Sequence, residues 1–135
     1  MKGKAMSIHE YNLTTTKNGL YDITGQVAAA VAESGVAEGT VVVHCPHTTA
    51  ALTINEHTDP HVQQDLMLSL DTAFPDRPDF RHNEGNSAAH VKSSVIGVTL
   101  TLIVRDGKPL LGSWQGLYFC EFDGPRQRHF FVQTR

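Results

Sequence analysis

The sequence contains few of the features that mark membrane, disulfide-rich or zinc-ribbon proteins. Only two of its 135 residues are cysteine, and neither Cys45 nor Cys120 belongs to a CxxC pair, which argues against a thiolate zinc site. No apolar run approaches the roughly 20 residues that cross a bilayer, and the first residues lack the apolar stretch of a signal peptide. We therefore expect a cytoplasmic protein with free thiols and no membrane partner.

The sequence also has no large excess of positive or negative charge. The formal net charge is -3 at pH 7, and the basic residues are scattered until Arg126, Arg128 and Arg135. A nucleic-acid-binding surface needs a denser basic stripe, so no nucleic-acid partner is expected. The apolar share of 40% and the charged share of 19% are typical of a globular protein rather than a disordered one. The length predicts a single domain over residues 1–135.

Two helices are predicted in the first half of the chain. Thr24 is expected to cap the first, which ends at Ser34-Gly35. The second is predicted over residues 60–71, because Asp59 is a good cap and Pro60 suits the first helical position. Its predicted core-facing residues recur every fourth position: Val62, Leu66 and Leu70.

The rest of the chain is predicted to be mainly extended. The expected strands cover residues 7–14, 19–23, 40–45, 51–55, 94–104, 109–111, 116–122 and 128–133. A turn signal at residues 17–19 predicts that the first two strands form a hairpin. Strands predominate and helices lie between them, which predicts an α+β protein with a mainly antiparallel sheet or a flattened barrel or sandwich, and two main helices.

Histidine is the residue type that stands out. There are eight, five of them between His44 and His82, with His90 close behind. Imidazole is the commonest acid or base near neutral pH and a common ligand for zinc and similar metals. The enrichment therefore raises the expectation of a chemical site.

The first candidate motif follows the strand over residues 40–45. Pro46 cannot donate to a strand ladder, so His47, Thr48 and Thr49 are expected at the end of the strand. Two hydroxyls and turn-type backbone amides can bind a phosphate or carboxylate oxygen. The alternative is a solvated turn that carries polar side chains.

The second candidate motif is the polar stretch around His82 and His90. If the chain turns at Gly85 and enters a short helix near residue 87, the two histidines can converge although they are eight residues apart. Glu84 or Asn86 could then orient an imidazole, and Lys92 would supply a positive charge for an anionic substrate. The alternative is an exposed polar loop.

Three further features carry candidate residues, each with a structural alternative. Asn55-Glu56 precedes the second helix, so Glu56 is either a catalytic carboxylate or a group that favours the helix dipole. Trp114 and Gln115 between glycines offer a flat apolar surface beside an amide, or a core or interface contact. Arg126 suits a bidentate grip on phosphate, or it pairs with Glu121, Asp123 or a neighbouring subunit.

Together these motifs resemble the YjbQ-like family of small uncharacterised proteins, also called the secondary thiamine-phosphate synthase family. The residues that carry the resemblance are 46–56, 59–60, 85–94, 111–116 and 121–126. Two positions depart from the usual pattern: Ser113 stands where threonine is usual, and Val91 where leucine is usual. The resemblance implies a homotrimeric α+β protein, a metal or anion site between subunits, and a weak ability to form thiamine phosphate.

The resulting hypothesis is a thiamine-phosphate synthase-like transferase that acts on a small phosphorylated metabolite with a divalent metal, zinc or magnesium. The expected catalytic residues are His47, Glu56, His90 and Lys92. The expected substrate-binding residues are Thr48, Thr49, Asn55, Asn86, Trp114, Gln115 and Arg126, and the expected metal ligands are His47, His82 and His90. The alternative is a non-catalytic trimeric protein that binds a metal or an anion with the same histidines.

Overall fold

The protein is described by a computed structural model over residues 7–135. Residues 1–6, which belong to the stretch that lacks a signal-peptide pattern, lie outside the described residues. In chain order the elements are β1 (Ser7–Thr15), β2 (Gly19–Asp22), α1 (Thr24–Ser34), β3 (Glu38–His44), β4 (Ala50–Glu56), α2 (Pro60–Ala73), α3 (Ser87–Ile96), β5 (Thr99–Arg105), β6 (Lys108–Pro109), β7 (Gln115–Glu121) and β8 (Arg126–Thr134). The α+β class with antiparallel sheets is confirmed. None of these helices, over residues 7–135, is long and apolar enough to span a membrane.

The strands form two antiparallel sheets, a larger one in the order β1-β8-β3-β5-β6 and a smaller one in the order β2-β7-β4. The predicted opening hairpin is wrong, because β1 pairs with β8 and β2 pairs with β7. In the observed pairing, β1 packs large apolar side chains against those of β8. Tyr11 of β1, for example, stacks on Phe130 of β8 with ring centroids 5.4 Å apart.

The main core lies between the two sheets and is closed by α1. Alternate residues of each strand face it, as the two-residue period of a strand requires. Its buried members include Val27 and Val31 of α1, Val41 and Val43 of β3, Leu52 of β4, Phe119 of β7 and Phe130 of β8. Both cysteines are free and buried, as expected.

A smaller apolar cluster lies on the other face of the small sheet. Ala51, Cys120 and Phe122 pack there with Ala89 of α3, and with Met67 and Leu70 of α2. The helix α2 covers this face only loosely, because none of its residues is buried. The expectation that Val62, Leu66 and Leu70 form a core-facing stripe is corrected in part: Leu70 packs against this cluster, Val62 and Leu66 are not among its members, and all three are only half-buried.

The observed helix ends correct two further predictions and agree with a third. Thr24 does not cap α1: the cap position is Ile23, and the Thr24 hydroxyl accepts the backbone N–H of Leu117 at 2.9 Å. A third helix, α3, follows the polar loop, as the motif around residue 87 suggested. It includes Ser94–Ile96, which had been predicted as the start of a strand, so that β5 begins only at Thr99.

Candidate functional site

The segment Pro46–Thr49 connects the two sheets, since it joins β3 of the larger sheet to β4 of the smaller one. It is fixed at both ends by backbone hydrogen bonds, from Cys45 N–H to Val98 O at 2.8 Å and from Phe122 N–H to Thr49 O at 3.2 Å. Thr49 is buried and Thr48 is exposed. The segment therefore presents side chains at the junction of the two sheets.

His47 is held in one orientation by β8. The backbone N–H of His129 donates to Nε2 of His47 at 3.0 Å, and the two rings lie 4.9 Å apart. Burial, and then the positive charges of Arg128 and His129, lower the pKa of His47. The lowered pKa favours the neutral imidazole near pH 7. Nε2 also lies 3.1 Å from the carbonyl oxygen of His129, so it bonds this residue as an acceptor when the proton is on Nδ1 and as a donor when the proton is on Nε2.

The N-terminal half of α3 forms the opposite wall. Ser93 anchors the helix by donating its hydroxyl to Ala50 O at 2.6 Å. Asn86 donates Nδ2 to Asp123 at 2.8 Å, and its Oδ1 is buried without a hydrogen-bond partner among residues 7–135. The expected convergence of His82 and His90 is found, with perpendicular rings 5.4 Å apart.

A buried ion pair between Glu121 of β7 and Arg128 of β8 lies behind the Pro46–Thr49 segment. Arg128 Nε donates to Glu121 Oε1 at 2.8 Å and Nη2 to Oε2 at 2.5 Å. Nη2 also donates to the Thr49 hydroxyl at 2.8 Å, and the Thr15 hydroxyl donates to Glu121 at 2.7 Å. Burial alone raises the Glu121 pKa, but hydrogen bonds from Arg128, the Asp123 N–H and Thr15 outweigh it, so the net pKa is lowered.

Sequence reasoning did not include Arg128 or Glu121 in the site. One signal in the sequence could have found Arg128. Residues 128, 130, 132 and 134 lie on the same face of the predicted strand, and the apolar Phe130 and Val132 indicate that this face is buried. An arginine on a buried face requires a partner. Arg126 instead pairs with Asp123, with Nη2 to Oδ2 at 2.9 Å, which resolves one of the alternatives left open for it.

These elements enclose a polar cleft of about 310 Å³. Its walls bring together six predicted site residues and two charged residues that were not among those predicted, Arg128 and Glu84. The lining side chains include His47, Thr48, Thr49, Asn86, His90, Arg126, Arg128 and Glu84. The cleft therefore combines imidazoles, hydroxyls and guanidinium groups, which is the composition of a site for an anionic ligand.

Four predicted site residues lie elsewhere in the chain's fold. Asn55 and Glu56 pair with Gly116 and Gln115 at one end of β4 and β7, whereas Ala50 pairs with Glu121 at the other end. Six residue steps of a strand span roughly 20 Å. Glu56 accepts a hydrogen bond from the Thr58 hydroxyl, and Trp114 is 64% exposed. Asn55, Glu56, Trp114 and Gln115 therefore do not reach the cleft of the same chain.

Lys92 also differs from its expected position. Its side chain is buried beside Phe122, and Nζ donates to Asp71 at 2.5 Å. It lines a neighbouring pocket with Asn18 and Asp76, not the wall that carries His47. The positive charges of the cleft come from Arg126 and Arg128.

The expected metal ligands do not form a complete set in one chain. Within residues 7–135, no three histidine, cysteine or carboxylate side chains are grouped to hold a metal ion. His82 and His90 adjoin, but Nε2 of His47 is engaged by the His129 N–H. Structural and catalytic zinc sites need at least three protein ligands, so these residues as they stand do not fit the ion.

The fold and the cleft define a class, a small two-sheet α+β protein with histidines and arginines where the sheets meet. The family model described as UPF0047 protein YjbQ-like matches residues 9–135, and the chain belongs to this family. It is 49% identical over 127 residues to UPF0047 protein MJ1081 of Methanocaldococcus jannaschii, covering 93% of this chain and 92% of that one. UPF0047 protein YugU of Bacillus subtilis is 46% identical over 121 residues, or 89% and 92% of the two chains.

Solved structures share the fold. A crystal structure of an uncharacterised YjbQ/UPF0047-family protein from Clostridium acetobutylicum matches with a TM-score of 0.92 and 51% identity, covering 94% of this chain and 99% of that one. A YbjQ-like protein of unknown function from Sulfolobus solfataricus matches with a TM-score of 0.91 and 30% identity, covering 96% of each chain. Neither description names an activity.

Proposed function

We propose that the protein is an enzyme that acts on a small phosphorylated metabolite in the cleft between Pro46–Thr49 and α3. The observation that supports this most is that two imidazoles, His47 and His90, line the same cleft as Arg126 and Arg128. Acid or base groups beside guanidinium groups are what reactions at phosphate esters and diphosphates require.

The two histidines have different roles in this proposal. In the tautomer in which Nε2 of His47 accepts the His129 N–H, the neutral ring offers its Nδ1 proton as a hydrogen-bond donor to a negatively charged oxygen. His90 has no such backbone partner among residues 7–135 and serves as the acid or base. The lowered pKa of His47 favours the neutral donor form near pH 7.

The specific reaction we propose is thiamine-phosphate formation. The nitrogen of a thiazole phosphate attacks the methylene carbon of a pyrimidine diphosphate, a carbon–nitrogen bond forms, and the carbon–oxygen bond breaks. The diphosphate leaves with the electron pair of that bond. The arginines stabilise its developing charge and the histidine N–H groups donate to the leaving oxygen. The residues of one chain do not fit a metal, so no step is assigned to one.

The test is an assay of thiamine phosphate formation with His47→Gln and His90→Gln. Each variant is expected to lose roughly a hundredfold to ten-thousandfold in rate, the usual size of acid–base contributions. His61→Gln is the matched control, because His61 is exposed on α2. If His47 and His90 can each be replaced without change in product formation or metal content, the proposal is abandoned.

A second candidate function is that of a non-catalytic, trimeric metal- or anion-binding protein. The contact between His82 and His90 and the unpaired Oδ1 of Asn86 favour it, and a ligand from a second copy would complete the set. Elemental analysis with a thermal-shift screen separates the two candidates. Stabilisation by zinc or magnesium alone supports the second, and stabilisation by phosphorylated metabolites supports the first. Sedimentation analysis tests the trimer.

A further inference from the structure

The cleft beside His47 has two parts of different character. The first, which we call the arginine lobe, is the 310 Å³ space lined by Arg126, Arg128 and Glu84. The second, the α3 lobe, measures about 350 Å³ and is lined by Ser93, Ser94, Gly97 and Val98. His47, Thr48 and His90 line both spaces, so the two lobes meet at these three residues.

Arg128 is fixed to an unusual degree for a cationic side chain. It is only 6% exposed, and its Nε and Nη2 atoms are held by Glu121 and Thr49. These bonds define the plane of the guanidinium group. Arginine stays protonated at all relevant pH values, so its remaining donor atom, Nη1, carries N–H groups in a set direction.

Nη1 of Arg128 has no hydrogen-bond partner among residues 7–135. The buried polar side-chain atoms that lack partners in this part of the chain are Asn86 Oδ1 and Thr134 Oγ1. Since Nη1 is not one of them, it retains accessible surface. Arg128 is also one of the residues that line the arginine lobe.

We propose that Arg128 is the phosphate receptor of this protein and that its ligand is a small organic phosphate or diphosphate seated across the two lobes. The phosphate lies in the arginine lobe against Nη1, and the uncharged organic part lies in the α3 lobe. The bond between the two parts then lies beside His47 and His90. This inference rests on the proposed function and adds the ligand class, its orientation and a residue that sequence reasoning missed.

Glu121 is a positioning residue in this arrangement. It does not line the cleft, and it acts by holding the guanidinium plane from behind. A hydrogen-bond donor whose orientation is set before the ligand arrives does not have to reorganise when it binds a phosphate. Such preorganised donors contribute most to binding affinity and to stabilisation of charge.

The negative charge of Glu84 opposes the binding of an anion in the arginine lobe. Its removal should therefore strengthen binding, which is the opposite of the effect expected when Arg128 is replaced. Glu84 lines the arginine lobe and is exposed, and its Oε1 lies 3.2 Å from Nε2 of His82. Removal of this negative charge by Glu84→Gln should tighten binding of inorganic pyrophosphate by a factor of about two to ten, the range expected for one exposed charge near a site.

The decisive experiment measures the affinity of inorganic pyrophosphate by calorimetry for the full chain. The variant carries both Glu121→Leu and Arg128→Met, because replacing a buried ion pair as a unit with apolar residues is tolerated far better than removing one partner. We expect binding to weaken by about tenfold to a hundredfold, the value of one charged hydrogen bond. Arg105→Met, which changes an exposed arginine at the end of β5, should bind as the unmodified protein does.

The outcomes separate this inference from the proposed function. If the unmodified protein binds neither pyrophosphate nor inorganic phosphate, both fail. If it binds and the double variant binds equally well, the assignment of Arg128 fails and the proposed function stands. If the double variant does not fold, Glu84→Gln decides, and unchanged or weaker pyrophosphate binding overturns the arginine lobe as the phosphate site.

A separate variant tests the proposed orientation of the ligand, with its phosphate in the arginine lobe and its organic part in the α3 lobe. Ser94→Phe fills the α3 lobe from an exposed position of α3. It should weaken binding of phenyl phosphate by at least about tenfold, through lost space for the ring, and leave inorganic phosphate unaffected. Equal effects on the two probes, or none on either, would overturn the two-lobe arrangement.

Discussion

His47 links the chemistry of the site to the stability of the fold. Its pKa in the folded protein lies below the ordinary value of 6.5, first because the ring is buried and then because Arg128 lies near. Below that ordinary value the unfolded chain therefore binds more protons than the folded chain, and folding stability falls as pH falls. The neutral ring that the site uses is thus also the form that the fold favours.

We predict that the free energy of unfolding in urea falls more between about pH 7.5 and about pH 5.5 for the unmodified protein than for His47→Gln. The reason is that glutamine takes up no proton over this range. His44→Gln, at an exposed position bonded to Thr99, controls for the loss of a histidine. Equal pH dependence in the two histidine variants would contradict the prediction.

The two thiols are predicted to be unreactive in the folded state. Burial raises the pKa of Cys45 to about 11 and that of Cys120 to about 12, so little thiolate exists at neutral pH, and both groups are inaccessible. An aromatic disulfide reagent at about pH 8 should titrate neither thiol until urea unfolds the protein. Rapid reaction of one thiol before unfolding would show that its surroundings open locally.

At the level of single elements, sequence patterns located helices better than they located strand partners. The capping of α2 by Asp59, with Pro60 at its first position, was predicted because both signals are local. The pairing of β1 with β8 could not be, since nothing within the first 22 residues encodes a partner more than 100 residues away. Ser94–Ile96 were predicted as strand, although they continue α3.

Removal of the α2 cap should have a modest effect. The Asp59 carboxylate accepts the His61 N–H at 2.9 Å, so Asp59→Ala is expected to lower the free energy of unfolding by about 1 kcal/mol, as lost caps do. Asp59→Ser should recover most of this loss. A loss several times larger, measured by urea denaturation, would mean that Asp59 has a further role in the fold.

On the scale of the whole molecule, the Glu121–Arg128 pair joins the two sheets, since Glu121 lies on β7 and Arg128 on β8. Glu121→Gln or Arg128→Met alone should cost about 3–5 kcal/mol, because each leaves a buried charge without its partner. Glu121→Leu with Arg128→Met should cost well under the sum of the two single changes. Additive losses in urea denaturation would show that the pair does not act as a unit.

The candidate site illustrates what the sequence could specify at this scale. The histidine motifs could be predicted as one site because each lies beside a turn or helix start, and the fold brings His47, His82 and His90 to neighbouring positions. The separation of Glu56 and Trp114 from them follows from the register of β4 against β7. The register depends on two strands that are far apart in the chain, so it cannot be predicted from a local motif.

The position of β7 and β8 has a consequence for how the molecule is made. Each lies between two partners, β7 between β2 and β4, and β8 between β1 and β3, and the ribosome produces both after every other described strand and helix. Until they emerge, β1, β2 and β4 have no strand to pair with, and their apolar faces stay open to solvent. The strands β3, β5 and β6 can pair with one another earlier, but completion of both sheets must wait for residues 115–134, which favours slow folding and an interval in which nascent chains are prone to associate.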